Sequence, residues 1–509
     1  MILTTSGSLV PHDPAHREWV YNALDAAVTW EVAEALLPRI ASDPDVDRTY
    51  RFERALQAPA MAMQLRGFRV DDIARKKHIR DLVREAAPLQ RKCDELAEKA
   101  FVAGGVKAAI IDDIRLEKFK WGKGLAPSTH QLQKVIYGAM KVPPYRAETG
   151  EVSLGKEILE KIRKKHPVAR ELCDVVLALR DMQEQVKTSQ ATLEPDGKMR
   201  YQVSVGQQET GRWSCTKSVW RTGTNMHGIT HRLRGAFVPD PGMVIINADL
   251  EQAESRCVAY LARDEAYIEA HERGNVHVEA ARLAWPEVKW TGDGKRDKTL
   301  AKKTAAWWVP QPPAEPGAEA AVSLYRLAKV LQHGNNYGQT YRGVARRMGL
   351  SDRDGERVSE AYFARYPGIR RWHGEVKAEL LATGVILTPF GRPRQFFGRH
   401  WEWETIKEAI AHVPQSLTSD ILKTVLWRVW NRWDPGTVEV LLEAHDAVVM
   451  QVRRERVEEV VTGLRDMFCV EVPIHGRTMV IPVEVQIGPR SWGELMSVGE
   501  WRKQQEATS

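Results

Sequence analysis

Two apolar stretches, far apart in the chain, most constrain what it can fold into. The first is "VIINADL", which ends with Asp249 and Leu250, and the second is "LLEAHDAVVMQV", Leu441 to Val452, with His445 and Asp446 in its middle. Each is short and rich in aliphatic or β-branched residues, as buried strands are. The first reads as a strand running into a helix that starts near Glu251; the second reads as a strand pair bent at its centre. The chain between them is mainly helical. The order is helical arm, strand core, helical insertion, strand core, which predicts one central sheet carrying two helical lobes.

The carboxylates in these runs need an explanation. Burying one without a partner costs several kcal/mol or forces it to protonate. A single strand-end acid is most often a turn or cap residue. Asp249 and Asp446 end strands of the same expected sheet, and if they converge, a divalent cation relieves their repulsion. Magnesium favours one or two carboxylates completed by water and phosphate oxygens.

The chain has 509 residues, 43% hydrophobic and 28% charged, which suits a soluble folded protein with more than one core. A net charge of +7 favours a polyanionic partner only where basic residues cluster. They do so before Tyr201, at Lys118, Lys120, Lys123, Lys156, Lys161, Arg163, Lys164 and Lys165, although a solvated helix face reads the same way. Cys93, Cys173, Cys215, Cys257 and Cys469 are widely spaced with no CxxC pair, which predicts free thiols and no structural zinc. Neither a long apolar span nor a basic start followed by an apolar core is present, so no membrane span or secretory signal is expected. "AHREWVYNALDAAVTWEVAEALLPRI" predicts one helix from about Ala15 to Ile40, and "VPQPPAEPGAEAA" a surface loop.

Two further patterns suit a nucleotide or nucleic acid. In "YRLAKVLQHGNNYG", Tyr325, Lys329, His333 and Tyr337 recur every fourth residue and share a helix face, with Arg326 about 100° round from Tyr325. An ammonium and rings suit phosphate and base, or equally an ordinary amphipathic helix with a snorkelling lysine. "QQETGRWSCTKSVWRTGTNMHG" carries Arg212, Lys217, Arg221, Asn225 and His227, and reads either as a groove edge for a phosphate backbone or as a surface loop.

In this order the pieces resemble the family A DNA polymerases, the bacterial DNA polymerase I type and its phage relatives. "VIINADLEQAESRCVAYLARDE" is similar to motif A, "RLAKVLQHGNNYG" to motif B on the fingers helix, "LLEAHDAVVMQV" to motif C, and "ETGRWSC" to the palm–thumb junction element. "QLRGFRVD", "STHQL", "YFARYPGIRRW", "TPFGRPRQ" and "HVPQSLTSD" keep the family's order over about residues 55 to 490. The resemblance implies an α+β, multidomain, right-hand fold with an antiparallel-sheet palm and helical thumb and fingers. Residues 1–45 would end a 3′–5′ exonuclease domain, 46–200 form the thumb, 201–263 the first part of the palm, 264–404 the fingers, and 405–509 the rest of the palm.

The implied activity is template-directed addition of dNTPs to a primer 3′-end. Asp249 and Asp446 would hold two Mg²⁺ ions, with Mn²⁺ as a substitute, and Lys329 would contact the incoming phosphates and protonate the leaving group. Arg326, Lys329, His333, Tyr337, Gln252 and Glu254 would bind the nucleotide, Glu254 as the steric gate against a ribose 2′-hydroxyl. Arg212, Asn225, Arg256, Gln415 and His445 would contact DNA, with Arg212 and Gln415 on the duplex, where the minor groove allows pair shape to be checked without reading sequence. The implied partners are primer–template DNA, dNTPs and a separately encoded exonuclease or processivity factor. The chain would act as a monomer, away from membranes, in the cytoplasm of a bacterial host.

Departures from the family pattern point to a phage or prophage branch. Ala447 stands where motif C has Glu, Tyr325 where the fingers helix has Arg, His333 where it has Phe or Tyr, and Leu250-Glu251 where motif A has Tyr-Ser. Tyr21 and Asp25 look like the last exonuclease motif, but Asp25 alone cannot build a two-metal site, so proofreading on this chain is not expected. Two rivals remain: a catalytically weakened homologue that binds primer–template as an accessory factor, and a single-subunit RNA polymerase. The first is opposed by the presence of Asp249, Asp446 and Lys329, the second by Glu254.

Overall fold

The computed structural model describes residues 14–105, 124–147, 150–308, 322–444 and 446–507. Lys118, Lys120 and Lys123, the Pro/Ala/Gly-rich stretch 309–321, and His445 lie outside the described residues. A five-stranded antiparallel sheet forms the centre of the main core. Its strands are β1 (Met243–Leu250), β2 (Val438–Ala444), β3 (Ala447–Arg453), β4 (Val483–Gly488) and β5 (Met496–Ser497), in the order β5-β4-β1-β3-β2. The two apolar runs are therefore direct neighbours, with β1 paired along its length to β3. β3 is buried from Ala447 to Val452, which is why it reads as a nearly unbroken apolar run. The exception, Gln451, is satisfied inside: its amide donates to Asp240 at 2.8 Å and to Glu439 at 2.6 Å.

Among the helices are α1 (Pro14–Ser42), α2 (Asp72–Ala103), α3 (Arg170–Ser189), α4 (Ala253–Leu261), α5 (Leu324–Asn336) and α6 (Trp403–Arg432). α1 matches the expected helix within two residues at each end, and Trp19, Tyr21 and Trp30 on it are exposed. α6 is buried through its middle, where Ser416, Ser419, Asp420 and Lys423 are enclosed along with its apolar side chains. α2 and α3 belong to a second, separate core that includes Cys93, Ala97, Leu132, Ile136, Leu159 and Val176. Asp71 caps α2 by accepting from the Ile73 and Ala74 amides at 2.9 and 3.1 Å.

The α+β, multidomain expectation is met. By packing, however, the helices Pro44–Ala55 and Gln57–Arg66 side with the sheet, because Leu56, Ala60 and Met63 sit in the main core and not in that of α2 and α3. All five cysteines are free thiols, with Cys469 alone exposed. Among the described residues, no helix is long and apolar enough to cross a membrane.

Candidate active site

Strand register brings the two acids together. Asp249 lies one residue before the end of β1, opposite Ala447 on β3 and Glu484 on β4. Asp446 occupies the turn from β2 to β3; its carbonyl accepts the Leu250 amide at 2.9 Å, and its own amide donates to the Ala444 carbonyl at 2.8 Å. The apolar run around Asp446 suggests burial, but the turn lifts it out and leaves it exposed, while Asp249 is half-buried.

The electrostatics of Asp249 follow from this placement. Burial pushes its carboxyl up to about 7, the charges of Asp446 and Glu484 add to the effect, Arg234 opposes it, and Glu251 contributes in the same sense as the other acids. Glu484 is the acid that motif reasoning missed. A third carboxylate is looked for at position 447, on one flank of Asp249, and the register supplies one on the other flank. In "IPVEVQIG" nothing marks Glu484 as special until β4 is paired with β1. Arg234 was missed for the same reason; its guanidinium lies 4.2 Å over the Trp492 ring, and the Trp492 indole N–H donates to Asn247 at 3.2 Å. Among the described residues, no group of three or more His, Cys, Asp or Glu side chains converges closely enough to form a complete ion cage.

Glu254, in the first turn of α4, is held at both oxygens. Its Oε1 accepts from the Arg212 guanidinium and its Oε2 from the Tyr337 hydroxyl. Burial and then the Glu254 charge push the Tyr337 ionisation well above its usual range, so this hydroxyl remains a donor. These contacts join three segments: the connection from Tyr201–Ser204 to Ser214–Lys217, α4, and the C-terminal cap of α5.

The expected stripe on α5 is real. The Lys329 ammonium lies 5.1 Å from the centre of the Tyr325 ring, and His333 meets Tyr337 edge-on at 4.6 Å. Arg326, Lys329 and His333 are exposed, whereas Leu327, Ala328 and Leu331 face the core. The stripe is thus the outer face of an amphipathic helix, with Tyr337 at its cap.

The other expected site residues divide. Gln252 adopts a left-handed conformation, φ 54°, at the bend between β1 and α4, and its Oε1 is buried without a partner. Asn225 caps a short turn by accepting the His227 amide at 3.0 Å. The His227 ring reaches the Glu443 carbonyl at 2.8 Å, which ties this loop to β2 beside Asp446. Gln415 is half-buried on α6. Arg256, by contrast, is only 3% exposed and donates to Glu272 and, at 3.1 Å, to the His271 carbonyl. Such a buried guanidinium held by a carboxylate and a carbonyl has the surroundings of a structural ion pair. His445 lies outside the described residues.

Residues 111–494 match the family model described as DNA polymerase family A. The DNA polymerase I of Chloroflexus aurantiacus is 26% identical over 508 residues, covering 95% of this chain and 47% of its own length. That of Pseudomonas aeruginosa is 23% identical over 490 residues, 93% of this chain and 47% of its own. The thermostable DNA polymerase I of Thermus filiformis is 24% identical over 383 residues, 72% of this chain and 41% of its own. The chain thus spans about half the length of the curated relatives it matches. In fold it is similar to the POL domain of Pol1 from M. smegmatis, described in complex with DNA primer-template and dNTP, with a TM-score of 0.67 at 23% identity, covering 92% of this chain and 75% of that one. Three-quarters of the chain carries the family's pattern and nearly all of it the fold: this protein belongs to DNA polymerase family A.

Proposed function

We propose that this chain is a DNA-directed DNA polymerase that extends a primer 3′-end on a template with dNTPs. The observation that carries the reading is the meeting of Asp249 and Asp446 at one end of the central sheet, in a chain of this family. The donor set suits divalent cations, because two carboxylates with Glu484 close by call for positive charge. Asp249 and Asp446 would hold two Mg²⁺ ions, with Mn²⁺ as a substitute. Such ions, when bound, lower the pKa of a 3′-hydroxyl and neutralise a triphosphate and its leaving pyrophosphate.

The remaining roles belong to the chain's own side chains. Lys329, exposed on α5, offers a cation to the incoming phosphates and a proton to the leaving group, with Arg326 as its exposed neighbour. The His333–Tyr337 ring pair is a wall for the nascent base pair. Glu254, with both oxygens engaged, presents a fixed obstacle to a ribose 2′-hydroxyl. Arg212 and Gln415 border the duplex, and the basic helical lobe around α2 and α3 grips phosphates in a salt-sensitive way. In this reading residues 46–200 are mainly thumb, 201–263 and 405–509 palm, and 264–404 fingers. Primer–template and dNTPs are the partners, a separately encoded exonuclease or processivity factor assists, and phage genome replication is the setting favoured by the motif departures.

Primer extension with dNTPs and with rNTPs, for the wild type, Asp249→Ala and Glu254→Ala, separates the readings. Wild-type extension with dNTPs is expected, with a loss of about a thousandfold in Asp249→Ala. No extension by the wild type would sink the enzyme reading in favour of an accessory role. Equal use of rNTPs by the wild type would favour the RNA polymerase rival and remove Glu254 as a gate. A labelled primer without dNTPs should stay full length; metal-dependent shortening would refute the expectation of no proofreading on this chain.

A further inference from the structure

The main core holds four charged side chains that the proposed reaction does not touch. Glu53 comes from the helix Pro44–Ala55, Arg392 from the turn between the strands Val385–Leu387 and Pro393–Gln395, and Asp420 and Lys423 from α6. Lys423 is 1% exposed, Asp420 4% and Arg392 8%. Arg392 donates through Nε to both Asp420 oxygens at 3.1 Å and through Nη2 to Asp420 and to Glu53. Lys423 donates to the same Glu53 oxygen at 2.6 Å. The charges cancel, and such a cluster contributes little net stability, because desolvation consumes most of the Coulomb gain.

What the cluster does hold is one turn of backbone. Lys423 and Ser419 both donate to the Gly211 carbonyl, the serine at 3.2 Å, and Ser416 donates to the Thr210 carbonyl at 2.7 Å. Positions 416, 419 and 423 share one face of α6, so a single helix presents all three donors. From the other side the Arg392 guanidinium packs on Gly211, where a Cβ would lie 2.8 Å from Cζ and where φ is +75°. The next residue is Arg212, whose guanidinium ends on Glu254, and Glu254 also accepts from Tyr337. One peptide therefore links a buried ion cluster to the carboxylate at the sugar gate.

We infer that Lys423 and Arg392 are positioning residues for sugar selection: by clamping Gly211, next to the Thr210 carbonyl that Ser416 holds, they keep Arg212 against Glu254. The inference rests on the polymerase reading above. Glu53 and Asp420 serve it by neutralising the two cations, so that donors of this strength can be buried next to a carbonyl.

The test is single-nucleotide incorporation of a dNTP and the matching rNTP on one primer–template, normalised by active-site titration. The variants are Lys423→Met, Lys423→Arg, and the paired Ser416→Ala and Ser419→Ala. Lys423→Met should lower the dNTP-over-rNTP ratio of kcat/KM by about tenfold, chiefly by admitting rNTPs. Lys423→Arg, which keeps charge and donor, should restore most of the ratio. The serine pair, close in volume and free of charge changes, should lower it by about threefold and decides the matter if Lys423→Met does not fold. A role in packing alone would reduce the titrated active fraction and leave the ratio per active site at the wild-type value in every variant, which would overturn the inference while the polymerase reading stood. A wild type that extends no primer would remove the polymerase reading and this one with it.

Discussion

Asp240 and Asp249 flank the two ends of β1, and their surroundings are opposites. Asp240 accepts from Arg69 at 2.6 Å, Lys198 at 2.7 Å and Gln451 at 2.8 Å. Burial alone would favour its neutral form, but the hydrogen bonds from Lys198, Gln451 and Arg69 prevail and hold the carboxyl down to about 2. At the other end, burial and the nearby acids push Asp249 up to about 7. One carboxylate is neutralised by the protein's own cations; the other faces Asp446, Glu484 and Glu251, whose charges outweigh the opposing Arg234. The first is architecture, since Arg69 and Lys198 lie outside the sheet and Asp240 fastens them to it. The second is a charge left for something other than the protein to balance, which is how functional acids are distinguished from structural ones.

The largest effect should break this contrast at the Asp249 end. Asp249→Asn and Asp446→Asn should each reduce primer extension by about a thousandfold. In chelator at pH 8 both should raise the melting temperature, because like charges are removed; calorimetry that found a lower value would mean that the protein balances this charge itself. The pH dependence sharpens the same point. Asp249 is raised from 3.8 to about 7 in the folded protein, so its contribution to metal-free stability is fully present below 3.8 and is lost as pH rises through 7. That loss amounts to about 4 kcal/mol, and Asp249→Asn should abolish it in urea titrations across this range.

Asp240 has the reverse sign. Lowered from 3.8 to about 2, it stabilises the fold above pH 3.8 and loses that contribution as pH falls through 2. Asp240→Asn should cost about 2 kcal/mol at pH 7 and progressively less in acid, with metal response unaffected. The smallest effect tests the empty flank of Asp249. Ala447→Glu should lower the Mg²⁺ concentration for half-maximal extension by about threefold; an unchanged requirement would mean that the flank occupied by Glu484 already suffices.

What was legible in the chain was local. The β2–β3 hairpin and the α5 stripe follow from the period of apolar residues over a few turns or strand steps, and β1 from its unbroken aliphatic run. The burial of Arg256 was not legible, because its position within motif A says nothing of its partners; Glu272 and the His271 carbonyl come from across the turn after α4. Glu484 and Arg234 escaped notice because only strand pairing and loop packing bring them to Asp249. The role of Gly211 was not legible either, because Arg392 and Lys423 approach it from elements far away in sequence.

The sequence by itself determined the elements, their order, the family and the pair of acids, because short-range periodicity and motif spacing are written in neighbouring residues. The tertiary structure alone decided which charges are balanced. Balance depends on what lies within a few ångströms through space, where the Coulomb term and desolvation act, and those distances are set by register and packing. So Asp240 and Asp249, nine positions apart in one run of sequence, end as a structural clamp and a candidate catalytic acid.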